Sequence, residues 1–445
     1  MRLLLAILVG KIIAQLIRFL KIGGGSAAPG LYALKIDPDL VEKLASRIPK
    51  HVIITGTNGK TTTSRILAHF AKMSGLKIIR NHTGSNLERG IASTLISSFQ
   101  LPVSNFQLGI WELDEAAFNT VAPKLKPDIV VFLNVFRDQL DRYGEVDSVV
   151  KRWCNTLKML NLQATVLVNG DDANCAKLTK CFKGKTLKFG VRDYKIVGES
   201  IQHQKEQENF DFEAKNVKLN GLKGSFFHLQ SPSFLASRSE HLPVALPLPG
   251  IYHIYDALAA IACATQLFPD TLIHRYTDTL KNFKPAFGRV ERLEFGSIFL
   301  IKNPAGATQV FETIAPNLKP NDRLLMALND NLADGTDVSW IWDANFEVLL
   351  RHKKSSKSAG VKVKTPQGCT LIASGNRAYD LANRLKYAGF NPELINVQKD
   401  LSKALQEARD GLNGHLFILP TYTAMLELQG ILTKSGIKKN YWEEV

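Results

Sequence analysis

The sequence lacks closely spaced cysteine pairs. Its five cysteines stand singly, at Cys154, Cys175, Cys181, Cys263 and Cys369. A structural zinc site needs four Cys or His ligands, usually in two close pairs, so we predict no zinc site. An odd number of scattered cysteines favours reduced thiols in a cytoplasmic protein.

The N-terminal segment also lacks an apolar run long enough to span a bilayer, because the uninterrupted run Leu3–Val9 is too short. A cleaved signal peptide is one interpretation, since a charge precedes this run. However, Lys11, Arg18 and Lys21 recur through the segment, and no small-residue cleavage pattern follows. The segment therefore favours an amphipathic helix that packs on the protein or lies on a membrane surface.

Acidic residues are outnumbered, 41 Asp and Glu against 56 Lys and Arg, which gives a formal net charge of +15. This balance favours an anionic partner such as a nucleotide, a nucleic acid or an acidic membrane surface. A solvated basic surface explains it equally well. The length of 445 residues predicts two or three domains.

Apolar strand patterns alternate with helical patterns, which predicts an α/β fold with a mostly parallel sheet. We place an N-terminal helix and glycine-rich segment at 1–46, a nucleotide-binding domain at 47–285 and a second α/β domain at 286–445. Short alternating stretches within 185–248 predict a small β-rich insertion in the nucleotide-binding domain.

The strongest functional pattern lies between an apolar strand and a helix and reads Gly56-Thr57-Asn58-Gly59-Lys60-Thr61-Thr62. Glycines let backbone N–H groups converge on phosphate oxygens at a helix N-terminus. Lys60 can reach the β- and γ-phosphates of ATP, and the Thr61 hydroxyl can bind Mg²⁺. A chance glycine turn is the alternative.

Acidic residues follow the next strand, at Glu112, Asp114 and Glu115. A carboxylate at the carboxyl end of a strand, facing the phosphate loop, is well placed to hold Mg²⁺. We therefore predict Glu112 as a second magnesium ligand beside Thr61, with a solvated acidic turn as the alternative. A polar cluster, Asn134-Val-Phe-Arg-Asp-Gln-Leu-Asp-Arg142, follows another apolar strand at the same edge.

Further motifs extend along nearly the whole chain. They are ELDE, NVFRDQLDRYGE, VNGDD, GRVE, KNPAG, NDNLADGTDVSWIWDANFE, RLKYAG and PTYTAMLE. Together with GTNGKTTT they resemble the MurT family, which belongs to the Mur ligase superfamily. The resemblance implies a Mur ligase-type central ATPase domain and a Rossmann-like C-terminal domain.

The resemblance also implies an ATP-dependent carbon–nitrogen ligase that acts at the cytoplasmic face of the membrane and binds no nucleic acid. Its substrate would be the D-glutamate α-carboxylate of lipid II, activated as an acyl phosphate and converted to D-isoglutamine. The ammonia would come from a GatD-like class I glutamine amidotransferase partner. A Mur-like or folylpolyglutamate-synthetase-like ligase that adds an amino acid, and a non-catalytic scaffold for a glutaminase, are the alternatives.

Family positions imply roles for individual residues. Arg289 and Lys302 would approach the ATP phosphates from the C-terminal domain, and Asp256 stands where the family has an adenine-binding Asn. Asp337 would complete the Cys-His pair of the partner as a third member, or it could simply cap a helix.

The polar cluster after the third apolar strand agrees with the MurT pattern. Asn134, Asp138 and Asp141 are candidates for binding metal or phosphate-bound water, and Gln139 stands, as in MurT, where other Mur ligases commonly have His. The chain departs from the family at Asp256 and in one further pattern. The four-cysteine zinc ribbon of the family is missing, and residues 185–248 take its place.

Overall fold

The computed structural model describes residues 1–445 except 20–26, 82–84, 99–104, 137–145, 198–199, 204–208, 233–241, 284–288, 351–368 and 439–445. The side chains at positions 18, 203 and 289 also lie outside the description.

The described helices are α1 Arg2–Phe19, α2 Ala28–Ile36, α3 Leu40–Ala45, α4 Lys60–Met73, α5 Glu88–Ser98, α6 Ala117–Leu125, α7 Val146–Leu157, α8 Ala173–Lys177, α9 Tyr252–Leu267, α10 Ile273–Leu280, α11 Pro304–Ile314, α12 Ala378–Tyr387, α13 Leu401–Arg409 and α14 Tyr422–Lys434. The strands are β1 Lys50–Thr55, β2 Ile78–Arg80, β3 Leu108–Leu113, β4 Ile129–Phe132, β5 Thr165–Asn169, β6 Lys185–Val191, β7 Tyr194–Val197, β8 Ser200–His203, β9 Phe212–Leu219, β10 Ser225–Gln230, β11 Leu242–Leu246, β12 Arg289–Leu293, β13 Gly296–Phe299, β14 Arg323–Ala327, β15 Thr370–Ser374, β16 Ile395–Val397 and β17 Leu416–Pro420.

The first sheet has the strand order β11-β10-β9-β6-β5-β4-β1-β3-β2 among the described residues. Its central strands are short runs of buried apolar residues paired in parallel, as expected for a sheet covered on both faces. Helices α4 and α9 pack in the core on one face, and α5, α6 and α7 pack in the core on the other. The predicted α/β class is confirmed.

The segment 185–248 is β-rich, and most of it continues the first sheet. β6 pairs in parallel with β5 and β9, and β9, β10 and β11 then run antiparallel to one another. The hairpin of β7 and β8 forms a separate two-stranded sheet. The main part of this segment therefore supplies four of the nine described strands of the first sheet, β6, β9, β10 and β11.

The second sheet has the order β12-β13-β17-β14-β15-β16 in the described part of the chain. All its neighbouring strands are parallel except the pair β12 and β13. Helices cover both of its faces. The carboxyl ends of its parallel strands form one edge, where an open α/β sheet usually binds its ligands.

The prediction that all cysteines are reduced is wrong for one pair. Cys154 in α7 and Cys181 after α8 form a disulfide, with Cα atoms 5.1 Å apart. The two are 27 residues apart in sequence, so their spacing gave no sign of the contact that the packing of α7 creates. Cys175, Cys263 and Cys369 are free and buried.

The N-terminal helix is present as α1 and packs on α2 and α5 through Ala6, Ile7 and Gly10. A Cβ atom at Gly10 would lie 2.8 Å from Cδ1 of Ile96, so glycine allows this close approach. None of the described helices is long and apolar enough to cross a membrane.

Candidate active site

The loop between β1 and α4 has the backbone of a phosphate-binding turn. Gly56 has φ +134° and Gly59 has φ +91°, conformations that favour glycine. A Cβ atom at Gly59 would lie 2.2 Å from Oδ1 of Asp256, and one at Gly56 would lie 2.9 Å from the carbonyl oxygen of Asn134. The loop is thus closely enclosed by two neighbouring segments, and α4 begins at Lys60 directly after it.

Lys60 is buried and folds back over the loop. Its Nζ donates to the carbonyl oxygens of Gly56 (2.5 Å) and Thr57 (3.3 Å) and lies 3.6 Å from Oδ1 of Asp114. The ammonium group therefore lies against the concave side of the turn.

Glu112 at the end of β3 is held against the first turn of α4. Its Oε2 accepts a hydrogen bond from the Thr61 hydroxyl (2.7 Å), and its Oε1 accepts one from Ser64 (2.6 Å). Arg80, in β2, donates to the Ser64 hydroxyl (3.2 Å). Burial is the main reason that the pKa of the Arg80 guanidinium is lowered. The predicted pair Thr61 and Glu112 is in direct contact.

Sequence reasoning missed Ser64 and Arg80. A signal for Ser64 was present, because residues three apart on a helix share a face, and Ser64 follows Thr61 by three positions. Arg80 gave no such signal, since its approach to the site depends on the pairing of β2 with β3, which is not visible in the local sequence.

Asn134 braces the loop. Its side-chain oxygen accepts from the backbone N–H of Asn58 (2.8 Å), and its side-chain nitrogen donates to the Asn58 carbonyl (3.1 Å). Both ends of the amide therefore bind protein and position the loop, and the ligand role of Asn134 stays a prediction. Asp138, Gln139 and Asp141 lie outside the described residues.

Asp256 in α9 lies beside the phosphate loop. Its Oδ2 accepts from Nδ1 of His253 (3.0 Å), and its Oδ1 lies 3.4 Å from the Thr63 hydroxyl. Both members of the pair are buried. The carboxylate has protein partners here, so contact with adenine remains a prediction.

Two buried polar atoms close to the loop have no hydrogen-bond partner within the described ranges. They are the Thr62 hydroxyl and Nε2 of His253. Buried polar groups are rarely left unpaired in native proteins.

The C-terminal domain reaches the loop through the KNPAG motif. Asn303, which precedes α11, donates from Nδ2 to Oδ1 of Asn58 (3.1 Å) and accepts from Nδ2 of Asn58 (3.3 Å). Lys302 is the preceding residue and is partly buried. Arg289 begins β12, but its side chain lies outside the described residues. Asn303 is shown in contact with the loop, and the phosphate-binding roles of Lys302 and Arg289 stay predictions.

Asp337 is exposed near the carboxyl edge of the second sheet. Its Oδ1 accepts from the backbone N–H of Ser339 (2.8 Å), and hydrogen bonds from Ser339 lower its pKa. The alternative N-cap role is met only in part, because the N-cap residue of the 3-10 turn Ser339–Trp342 is Val338 and Asp337 accepts its hydrogen bond from one position before that residue. The exposure of the carboxylate leaves the partner role open.

The loop that carries Asp337 is anchored to α14. Thr423 donates through its backbone N–H (2.8 Å) and its hydroxyl to the carboxylate of Asp334, and Asn329 and Asn331 donate to the Thr423 hydroxyl (3.1 and 2.8 Å). Burial raises the pKa of Asp334. These contacts join the NDNLADG and PTYTAMLE motifs, a connection that sequence reasoning missed.

The described part of the chain contains no group of three or more His, Cys, Asp or Glu side chains that could hold a metal ion. This absence concerns metal sites whose ligands are three or more protein side chains. A magnesium ion bound mainly by water and phosphate oxygens needs only one or two protein ligands. The absence of structural zinc stays a prediction.

Comparison with known proteins gives the family. The Mur ligase middle domain matches residues 54–264, and the MurT ligase C-terminal domain matches residues 300–425. The MurT subunit of glutamine-hydrolysing lipid II isoglutaminyl synthase from Streptococcus pneumoniae is 30% identical, over 94% of this chain and 94% of that protein.

Solved structures agree on the fold. Acinetobacter baumannii MurF superposes with a TM-score of 0.67 at 16% identity, covering 92% of this chain and 81% of that one. Thermotoga maritima MurF in complex with ADP gives a TM-score of 0.63 at 14% identity, covering 91% and 85%. The match to the pneumococcal subunit over almost the whole of both chains, on a Mur ligase fold, shows that this chain belongs to the MurT family.

Proposed function

We propose that this chain is the synthetase subunit of a lipid II isoglutaminyl synthase. It would use ATP to activate the D-glutamate α-carboxylate of the lipid II stem peptide, and ammonia would then form the D-isoglutamine amide. The observation that carries the proposal is the reciprocal Asn58–Asn303 contact. It joins the phosphate loop to the C-terminal domain that matches the MurT family.

The proposed chemistry has two steps. A carboxylate oxygen attacks the γ-phosphorus of ATP, the bond to the bridging oxygen breaks, and ADP leaves. Ammonia then attacks the carbonyl carbon of the acyl phosphate, the carbon–oxygen bond breaks, and inorganic phosphate leaves as the nitrogen loses a proton. Phosphorylation supplies the leaving group that a free carboxylate lacks. The main demand on the protein is to position and neutralise phosphate charge.

Lys60 meets that demand in the proposal. Its ammonium already lies at the carbonyl oxygens of Gly56 and Thr57. Backbone N–H groups at the start of α4 would add to it, because they are unpaired within the helix and carry its positive end. Lys302, next to Asn303, would approach from the other domain.

Mg²⁺ fits the residues present. The Thr61 hydroxyl and the Glu112 carboxylate are hard oxygen donors, and magnesium prefers such ligands while keeping several waters. When bound, the ion would neutralise phosphate charge. Ser64 and Arg80 would keep Glu112 oriented toward Thr61, since both belong to the hydrogen-bond chain that ends on its carboxylate.

The ammonia source in this proposal is a GatD-like glutaminase subunit. Glutamine hydrolysis needs a reactive thiolate, and the three free thiols here are buried. Burial raises the pKa of Cys175 and Cys263 well above the usual range and that of Cys369 to about 12. Asp337, by contrast, is an exposed carboxylate that a partner subunit can reach.

A lipid-linked substrate also implies that the chain works at the cytoplasmic face of the membrane. The test of the reaction is a product assay with purified chain, its glutaminase partner, lipid II, ATP and ammonium. A carboxamide product supports the proposal. Addition of a supplied amino acid instead would favour an amino-acid ligase, and absence of ATP turnover would favour a scaffold.

A further inference from the structure

The outward face of α1 is apolar and exposed. The exposed fractions are 61% for Leu4, 52% for Leu5, 56% for Leu8, 46% for Ile12, 52% for Leu16 and 84% for Phe19. With about 3.6 residues per turn, these six positions fall within an arc of about 120° on the helix surface. We call this set the outer face of α1.

The outer face is distinct from the face that holds α1 on the protein. Ala6, Ile7 and Gly10 point the opposite way and are buried against α2 and α5. The helix is therefore docked by one apolar side and exposes a second. Gln15 is the one polar residue of α1 whose helical position falls within the same arc. Single exposed apolar residues need no explanation, but six on one side of a helix mark an interaction surface.

The charged residues of α1 itself all have one sign. The sequence of α1 contains Arg2, Lys11 and Arg18 and no acidic residue. Arg2 and Lys11 occupy the two borders between the inner and outer faces at this helical spacing. Helices with cations at the edges of an apolar stripe are typical of bilayer interfaces. Their lysine and arginine side chains reach the lipid phosphate groups while the apolar side chains enter the lipid.

Helix α2 extends this pattern. Leu31 and Tyr32 are 38% and 48% exposed, and Nζ of Lys35 lies 5.4 Å from the centroid of the Tyr32 ring. α2 has no acidic residue either. Tyrosine is enriched where an apolar region meets water at a membrane surface.

We propose that α1 lies in the surface of an anionic bilayer, with its outer face toward the acyl chains and its basic residues at the lipid phosphates. Charge favours lipid over a second copy of this chain, because two copies carrying +15 each repel one another while anionic headgroups attract. The inference stands independently of the proposed reaction, since vesicle binding and ATP turnover are separate measurements.

The test is sedimentation of the purified full chain with vesicles of phosphatidylcholine alone and of phosphatidylcholine mixed with phosphatidylglycerol. We expect binding to the mixed vesicles that weakens as salt rises. The variant Leu8→Glu/Ile12→Glu/Leu16→Glu should lower the partition coefficient at least about tenfold, because charged side chains are costly in the bilayer.

The matched control is Met159→Glu/Leu162→Glu/Leu272→Glu, which makes the same charge change at three exposed apolar residues outside α1. The partition coefficient of this control should stay within about twofold of that of the unchanged chain, because its changes lie outside the proposed membrane-binding helix. Circular dichroism checks folding, and Leu16→Glu alone replaces the triple variant if that variant does not fold.

The proposal is overturned if the unchanged chain stays in the supernatant with anionic vesicles. It is also overturned if the α1 variant and the control bind equally. A dimer in light scattering that the α1 variant disperses, with no vesicle binding, would assign the outer face to a second copy instead.

Discussion

Asn58 in the phosphate loop and Asn303 before α11 exchange two side-chain hydrogen bonds, of 3.3 and 3.1 Å. They are 245 residues apart, and each belongs to a different sheet domain. The same Asn303 caps α11 by accepting from the backbone N–H of Gly306 (2.8 Å). One side chain thus fixes both the start of a helix and the position of that helix against the loop.

We predict that Asn303→Asp separates these two roles. Aspartate still accepts from Gly306, so the cap and the melting temperature should be kept. It cannot donate to Asn58, and it places a negative charge near the loop, so KM for ATP should rise by about tenfold or more. ATP turnover against ATP concentration measures this. Asn391→Asp, the same change at a distant 3-10 cap, should leave KM unchanged, and an equal effect of both variants would contradict the interpretation.

Lys60→Ala should lower the rate of ATP turnover at least about 100-fold, because Lys60 is the only positively charged side chain in the sequence of the loop 56–62. The fold should persist, since the hydrogen bonds that Lys60 makes in the loop go to two backbone carbonyl oxygens. Lys72→Ala, an exposed lysine on the same helix, is the matched control. Near-normal turnover in Lys60→Ala would show that the loop is not the phosphate site.

Asp337→Asn should abolish glutamine-dependent amidation by the complex while sparing amidation with free ammonium. A carboxylate can stabilise a charged histidine of the partner, and an amide cannot. Because Asn caps a helical turn nearly as well as Asp, stability should barely change. Asp343→Asn, another exposed aspartate close by in sequence, should spare both activities. Loss of both activities in Asp337→Asn, or of neither, would argue against the partner role.

His51 should make stability depend on pH. Its Nε2 donates to the carbonyl of Ala45 (3.0 Å), and its Nδ1 accepts from the indole N–H of Trp111 (2.9 Å), so only the neutral ring satisfies both. Burial accordingly lowers its pKa below the usual 6.5. As pH drops below the pKa of the unfolded state, about 6.5, the unfolded chain binds a proton that the folded chain does not. The free energy of unfolding therefore falls as pH drops.

Denaturant unfolding at about pH 7.5 and about pH 5.5 measures this pH dependence of the free energy of unfolding. Each unit by which the pKa of His51 differs between the folded and the unfolded state contributes about 1.4 kcal/mol. His51→Gln should flatten the slope. His274→Gln, at an exposed histidine, should not. The assignment fails if the two variants show the same slope as the unchanged chain.

Local pattern was enough to predict the elements of the site. The turn at Gly56 between an apolar strand and a helix, and the strand that ends near Glu112, were predicted correctly because each is a glycine turn or a short apolar run whose meaning is local. The position of Glu112 beside Thr61 also followed, since carboxyl ends of neighbouring parallel strands meet at one edge.

Contacts between distant segments could not be predicted in this way. Asn303 was part of a quoted motif, but nothing in KNPAG says that its side chain meets Asn58. The disulfide of Cys154 and Cys181 depends likewise on how α7 packs. The strands of 185–248 were predicted as β-structure, but their place in the first sheet is set by the pairing of β6 with β5. The alternation of apolar and polar residues within a strand does not show which strand it pairs with.

The central claim is transfer of phosphate to the substrate carboxylate, and oxygen labelling tests it most directly. Lipid II carrying ¹⁸O in the D-glutamate α-carboxylate is incubated with the complex, ATP and ammonium, and the products are analysed by mass spectrometry. The account predicts a carboxamide product, ADP, and inorganic phosphate that has gained one ¹⁸O from the carboxylate. Release of AMP and pyrophosphate, or a carboxamide formed while the phosphate stays unlabelled, would contradict it.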